Sequence, residues 1–310
     1  MVKKIKHSKD FNISPLHKES ILLIGNFDGL HLGHQKLFNL AKKYKKKYRL
    51  KIGVVTFEPM PKMYFNRSIK NFRISSLEQK SLILQDLDID FIITKKFNKR
   101  FSRIKSAIFI KNILYKKLKA KYIFVSNNFR FGNKREGNVK QLIKNEKNYN
   151  FKIIKPKPLI KKNKVISSTL IRKLLANGKL HKANKFLNRK WSIDGVVEKG
   201  RQEGKKIGFP TCNIDINDYV IAMPGVYAVS INLKGRKINL KGIANLGYRP
   251  TFGQKKILLE VHIFNFSGNL YDKYLSVKFV KFIRKEKKFK NVDLLKKQIK
   301  FDLKVAKKVK

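Results

Sequence analysis

The chain has a single cysteine, Cys212, among its 310 residues. That excludes an internal disulfide framework and any zinc site built on cysteine pairs. Acidic residues are also scarce, 20 against 74 Lys and Arg, leaving a formal net charge of +54. No apolar run approaches the roughly 18 residues of a membrane-spanning helix. The start, Met1 to Asp10, is charged and lacks the apolar core of a secretory signal. These absences point to a soluble, cytoplasmic protein.

What is present can fold. Hydrophobic residues make up 42% and aromatic ones 11%, enough for a packed interior despite a charge that otherwise suggests disorder. The length allows about two domains of roughly 150 residues. The charge would suit a nucleic-acid ligand, because Lys and Arg neutralise phosphates and release counterions. Yet the excess is mostly Lys, spread along the whole chain in runs such as Lys45-Lys46-Lys47 between apolar positions. Solvated faces look the same, so charge alone decides nothing.

The first half alternates short apolar runs with helix-period segments. Strands are expected at Ile21–Ile24, Ile52–Phe57, Phe91–Ile93, Tyr122–Val125 and Phe151–Ile154. Helices are expected at Gly33–Tyr48, Ser76–Leu87, Ile104–Leu118, Val139–Asn145, Ser168–Ala176 and Leu180–Leu187. This alternation implies right-handed crossovers and a parallel sheet covered on both faces. Near Lys190 the pattern changes to strands separated by turns: Ser192–Val197, Val226–Leu233, Ile238–Asn245, Leu258–Phe264 and Leu275–Ile283. Antiparallel strands in this number suggest a small barrel, followed by an amphipathic helix from Val292 to Val305. The boundary near residues 185–191 divides the chain into residues 1–186 and 187–310.

Two glycine-rich segments carry candidate chemistry. Gly25-Asn26-Phe27-Asp28-Gly29-Leu30-His31-Leu32-Gly33-His34 runs from the first strand into the first helix. Gly29 and Gly33 permit a tight turn, and the helix start offers free N–H groups to a phosphate. His31 and His34, three apart, can both face one phosphate chain and donate to charge growing on it. A pair of ordinary surface histidines, or half of a metal site, is the plain alternative. In the second half, Gly200 to Lys205 lacks the spacing and ending of a P-loop. A glycine-rich loop can still arch over phosphates with its amides, and Gly204, Lys205, Gly208 and Pro210 are its candidate phosphate-binding residues. Thr211 and Asn213, two apart on an extended segment, project to one side and could hold Mg²⁺; a proline turn satisfying its own backbone would look alike.

His-x-Gly-His after a strand resembles the nucleotidyltransferase superfamily. Further motifs narrow the likeness. Thr56-Phe57-Glu58-Pro59-Met60-Pro61, Asn127-Asn128-Phe129-Arg130-Phe131-Gly132 and Ile166-Ser167-Ser168-Thr169-Leu170-Ile171-Arg172 follow in order. Then come Gly208-Phe209-Pro210-Thr211-Cys212-Asn213, Gly242 to Phe252, Leu259-Glu260-Val261-His262 and Phe282-Ile283-Arg284. Together they resemble the bacterial bifunctional riboflavin kinase/FMN adenylyltransferase family over about residues 18–305.

That resemblance implies an α/β plus all-β protein. Its N-terminal domain would be a Rossmann-like nucleotidyltransferase with a parallel sheet, and its C-terminal domain a six-stranded antiparallel β-barrel with a terminal helix. It implies phosphorylation of riboflavin to FMN in the barrel, then adenylylation of FMN to FAD in the first domain, with ATP as co-substrate and Mg²⁺ as cofactor. His31, His34 and Asn128 would be catalytic there, with Gly25, Phe27, Asp28, Gly29, Gly33, Ser168, Thr169 and Arg172 at the ATP. Glu260 would be the kinase base, Thr211 and Asn213 the metal ligands, and Asn128, Phe129 and Arg284 the flavin contacts. Met60 stands where the family usually has His, Ser126 and Asp272 where it has Gly. Riboflavin, FMN/FAD and ATP are the expected partners, with no nucleic acid and no membrane. The alternatives are another His-x-Gly-His nucleotidyltransferase, or a basic nucleic-acid-binding protein.

Overall fold

The computed structural model describes residues 5–200, 202–216, 218–234, 238–251 and 254–309, with backbone alone at 249–251 and 254–256. Arg201 and Phe252 of the quoted motifs lie outside the described residues. The chain forms two compact units, residues 1–70 with 77–166, and residues 71–76 with 167–310. By contacts, helices Ser168–Ala176 and Leu180–Leu187 belong with the second unit, where Ile171, Leu174, Leu180 and Leu187 join its core. The boundary read from the sequence falls after them.

In the first unit, strands β1 (Lys6–Ser8), β2 (Ile21–Ile24), β3 (Ile52–Glu58), β4 (Phe91–Lys96), β5 (Tyr122–Phe124) and β6 (Lys152–Ile154) form one parallel sheet. Its order is β1-β4-β3-β2-β5-β6. Strand β2, Ile-Leu-Leu-Ile, is buried throughout, as a central parallel strand must be. Leu22 and Ile24 join one apolar cluster and Ile21 and Leu23 another, so alternate side chains feed the two covered faces. The order places the end of β2 near the middle of the sheet, where α/β folds bind ligands. One helix differs from the α-helical reading of Ile104–Leu118: after Ser106–Ile108 it continues as a π-type helix over Phe109–Lys117. Leu118 N–H there bonds to the Ile113 carbonyl, five residues back.

The second unit is a closed antiparallel barrel of β7 (Ser192–Glu198), β8 (Cys212–Asp215), β9 (Gly225–Leu233), β10 (Asn239–Thr251), β11 (Gln254–Ile263) and β12 (Tyr274–Lys285). Its order is β7-β8-β11-β10-β9-β12, and closure leaves no free edge. Alternate residues of β12, Leu275, Val277 and Phe279, fill the interior. The C-terminal helix, Val292–Lys307, is capped by Asn291, whose side chain accepts from Leu294 N–H at 2.9 Å. Its Asp302, 2% exposed, accepts from Arg284 Nε and Nη2 at 2.8 Å each, fastening the helix to β12. Among the described residues, no helix is long and apolar enough to cross a membrane.

Candidate active sites

The first site begins where β2 ends. Gly25 N–H bonds to the Val55 carbonyl at 3.0 Å, and the chain then turns through left-handed Phe27, Gly29 and Leu30. Gly33 allows the close pass that follows, since a Cβ there would stand 2.8 Å from the Ile166 carbonyl oxygen. Helix Leu32–Tyr48 starts at once, with His31 as its cap: Nδ1 accepts from His34 N–H at 3.4 Å. An accepting Nδ1 puts the proton on Nε2, where it can be donated. The rings of His31 and His34 stack with centroids 3.7 Å apart. Two imidazoles thus sit at the positive end of a 17-residue helix.

Burial, helped by the nearby His31 and Lys80, holds His34 well below the usual imidazole range, so its ring is neutral. Its Nδ1 is buried with no hydrogen-bond partner among the described residues. Lys80 belongs to none of the sequence motifs. It is buried on helix Leu77–Gln85 and donates to Thr56 Oγ1 at 3.2 Å. A lysine at an inward position of a helical pattern was the available signal.

Other expected residues are placed as follows. Phe27 and Asp28 are buried, and the Phe27 ring stands edge-on to His34 and Phe38. Asn128 is exposed, and its Oδ1 accepts from Ser126 Oγ at 2.9 Å. Phe129 stacks on Phe131 at 5.6 Å. Met60 is buried, so this position supplies apolar packing in place of a titratable ring. Ser168, Thr169 and Arg172 open a helix of the other unit. Arg172 Nε donates to the Phe72 carbonyl at 2.8 Å, and its guanidinium covers the Phe72 ring at 3.6 Å.

The second site is a cavity of about 430 Å³ in the barrel unit. Glu260 on β11 faces Asn213 on β8 on one side and Asn245 on β10 on the other. Directly opposed residues of adjacent strands lie within about 5 Å of each other, so the three polar side chains form one row. Glu260, Asn245 and Thr211 line the cavity. Asn213 is 6% exposed, and its Oδ1 has no hydrogen-bond partner among the described residues. An unused buried oxygen beside Thr211 fits a hard cation that takes oxygen ligands, so Thr211 and Asn213 are suited to Mg²⁺.

The glycine-rich loop packs over these residues. A Cβ on Gly204 would stand 2.4 Å from the Phe209 carbonyl oxygen and 3.2 Å from Thr211 Oγ1. Gly208 has φ +88°, a left-handed conformation. Val226, Ile243, Leu295, Ile299 and Leu303 supply an apolar wall to the same cavity. Arg284 also lines it, its guanidinium tied to Asp302 and to the Lys285 carbonyl. Glu286 is a further member that no spacing in the sequence singles out. Burial and the charge of Glu260 raise its pKa, and Arg284 opposes them.

The fold and the two candidate sites define a class: a transferase with one candidate phosphate site in an α/β unit and another in a β-barrel. The FAD synthetase family model matches residues 13–170, and the riboflavin kinase family model matches residues 187–310. The chain is 41% identical over 300 residues to the bifunctional riboflavin kinase/FMN adenylyltransferase of Buchnera aphidicola subsp. Schizaphis graminum, covering 96% of each chain. It is 36% identical over 289 residues to the Escherichia coli protein of the same name, covering 93% of this chain and 92% of that one. A crystal structure titled as a macrolide-efflux protein from Streptococcus pneumoniae superposes with a TM-score of 0.85 at 27% identity, covering 98% and 99% of the two chains. This chain belongs to the bifunctional riboflavin kinase/FMN adenylyltransferase family. Both enzymatic parts are present, FAD synthetase first and flavokinase second.

Proposed function

We propose that residues 187–310 phosphorylate riboflavin and residues 1–186 adenylylate the resulting FMN, with the site residues acting as follows. In the barrel, the isoalloxazine rings lie against the apolar wall of Val226, Ile243, Leu295, Ile299 and Leu303. Glu260 takes the proton of the riboflavin 5′-hydroxyl as that oxygen attacks the γ-phosphorus of ATP, and ADP leaves. Gly204, Lys205, Gly208 and Pro210 hold the phosphates, with Thr211 and Asn213 the ligands of Mg²⁺. When bound, Mg²⁺ neutralises phosphate charge.

In the first unit, a phosphate oxygen of FMN attacks the α-phosphorus of ATP and pyrophosphate leaves. His31 donates from Nε2 and neutral His34 from its protonated nitrogen to the charge that develops. Gly25, Gly29 and Gly33 bring the backbone close to the nucleotide, and buried Phe27 and Asp28 hold the turn. Ser168, Thr169 and Arg172 are assigned to ATP by the family likeness alone, their helix being grouped with the second unit. Asn128 and Phe129 serve the flavin side, and Arg284 does so in the barrel. Both reactions take place in the cytoplasm, without nucleic acid or membrane.

The observation that carries this reading is the row Asn213–Glu260–Asn245, of which Glu260 and Asn245 line the cavity, with the Asn213 oxygen unused among the described residues. Neither alternative, another nucleotidyltransferase or a nucleic-acid binder, accounts for the riboflavin kinase match at 187–310. The test uses paired variants. Glu260→Ala or Thr211→Ala is expected to abolish FMN formation and spare conversion of supplied FMN to FAD. The double variant His31→Ala, His34→Ala is expected to do the reverse. Unchanged kinase turnover in the first pair, or retained FAD synthesis in the double variant, refutes the assignment.

A further inference from the structure

We infer that His262 is a positioning residue of the kinase site, holding the phosphate loop to the barrel through the Pro210 carbonyl. The inference rests on the kinase reading of the cavity. Glu260 and His262 are two apart on β11, so their side chains share one face, and both line the cavity. His262 Nδ1 lies 2.8 Å from the Pro210 carbonyl oxygen. A carbonyl only accepts, so Nδ1 carries the proton in this contact. The Phe209 ring stands edge-on to the imidazole, with centroids 6.3 Å apart.

The strand register explains why a side chain is needed here. Pairing of β8 with β11 begins at Cys212 opposite Val261. One step further would set Thr211 opposite His262, but the ladder has already ended, and Pro210 has no N–H to extend it. The loop otherwise closes on itself: Phe209 N–H bonds to the Gly204 carbonyl at 2.7 Å and Gly208 N–H to the Lys205 carbonyl at 3.1 Å. The imidazole therefore replaces the missing rung immediately before Thr211. It fixes the Thr211 oxygen and the loop amides relative to Glu260.

The experiment compares wild type with His262→Phe, which keeps a ring and loses the donor, and His262→Asn, whose amide nitrogen replaces Nδ1. FMN formation is measured against ATP and Mg²⁺, and amide exchange is followed across residues 203–211 without ligand. FAD formation from supplied FMN reports that each preparation is folded. Loss of one hydrogen bond is worth roughly five- to tenfold. His262→Phe is expected to raise the KM for ATP by about that factor and to speed exchange in the loop. His262→Asn should stay within about twofold of wild type. If His262→Phe does not fold, His262→Gln, whose donor is placed too far out, takes its part. Wild-type KM and exchange in the donor-free variant overturn the inference, as does equal impairment in His262→Asn. A folded wild type that makes no FMN overturns the kinase reading instead, while the exchange comparison still decides whether the imidazole holds the loop.

Discussion

His34 shows how one residue's surroundings set both its chemistry and its cost. Burial and neighbouring positive charge lower its pKa well below 6.5. A group whose folded pKa is depressed contributes stability that is full above its unfolded value and is lost as pH falls through the folded value. Wild type should therefore lose melting temperature on acidification below about pH 6.5, the ordinary histidine value. His34→Gln should lose less over the same interval. Equal pH slopes for the two proteins in thermal melts would contradict the neutral, enclosed imidazole. Asp272 makes a second case at this scale. It adopts φ +62°, a conformation that glycine enters without steric cost and that aspartate tolerates better than most residues. The departure from glycine there leaves the turn intact.

At the scale of elements, the phosphate loop and the C-terminal helix carry the sharpest expectations. Gly204→Ala would press a methyl group into the Phe209 carbonyl and towards Thr211. Displacing a reacting group by about 1 Å costs on the order of 100-fold in rate. FMN formation should fall by that order while FAD formation from FMN is unchanged. Asp302→Ala leaves the Arg284 guanidinium without its buried partner. It should destabilise the barrel unit by about 3 kcal/mol, since breaking a buried pair strands the remaining charge. Chemical denaturation followed by far-UV circular dichroism measures this.

Elements also show what the sequence made legible. The other five strands of the first sheet, three to seven residues long, and five of the six barrel strands stand in the sequence because each lies in a mainly apolar run or shows a clear period. Strand β1, Lys-His-Ser, has neither, since it is a short edge strand with exposed side chains. Strand β8 has only four residues behind a proline, too few to display alternation. The π-type turn at Phe109–Lys117 was not legible, because its buried Phe109, Ile110, Ile113 and Leu114 also suit an α-helical face. For the sites, the glycine and histidine spacing marked His31 and His34, and the two-residue spacing on an extended segment marked Thr211 and Asn213. Lys80, Asn245, His262 and Glu286 depend on register and tertiary packing, which spacing does not encode.

At the scale of the molecule, the account joins two chemistries in one chain, the product of the second unit being the substrate of the first. The net charge of +54 adds an expectation of its own. Small anionic substrates approach a positive surface faster at low salt, and screening removes that advantage. For both reactions, kcat/KM for ATP should fall as ionic strength rises from about 0.05 to 0.3 M. The most direct measurement is a time course of purified wild type with riboflavin, ATP and Mg²⁺, the flavins being separated by chromatography. The account predicts that FMN rises first and FAD follows at its expense, and that Glu260→Ala stops the sequence at riboflavin. Folded protein that leaves both riboflavin and supplied FMN unaltered would contradict it.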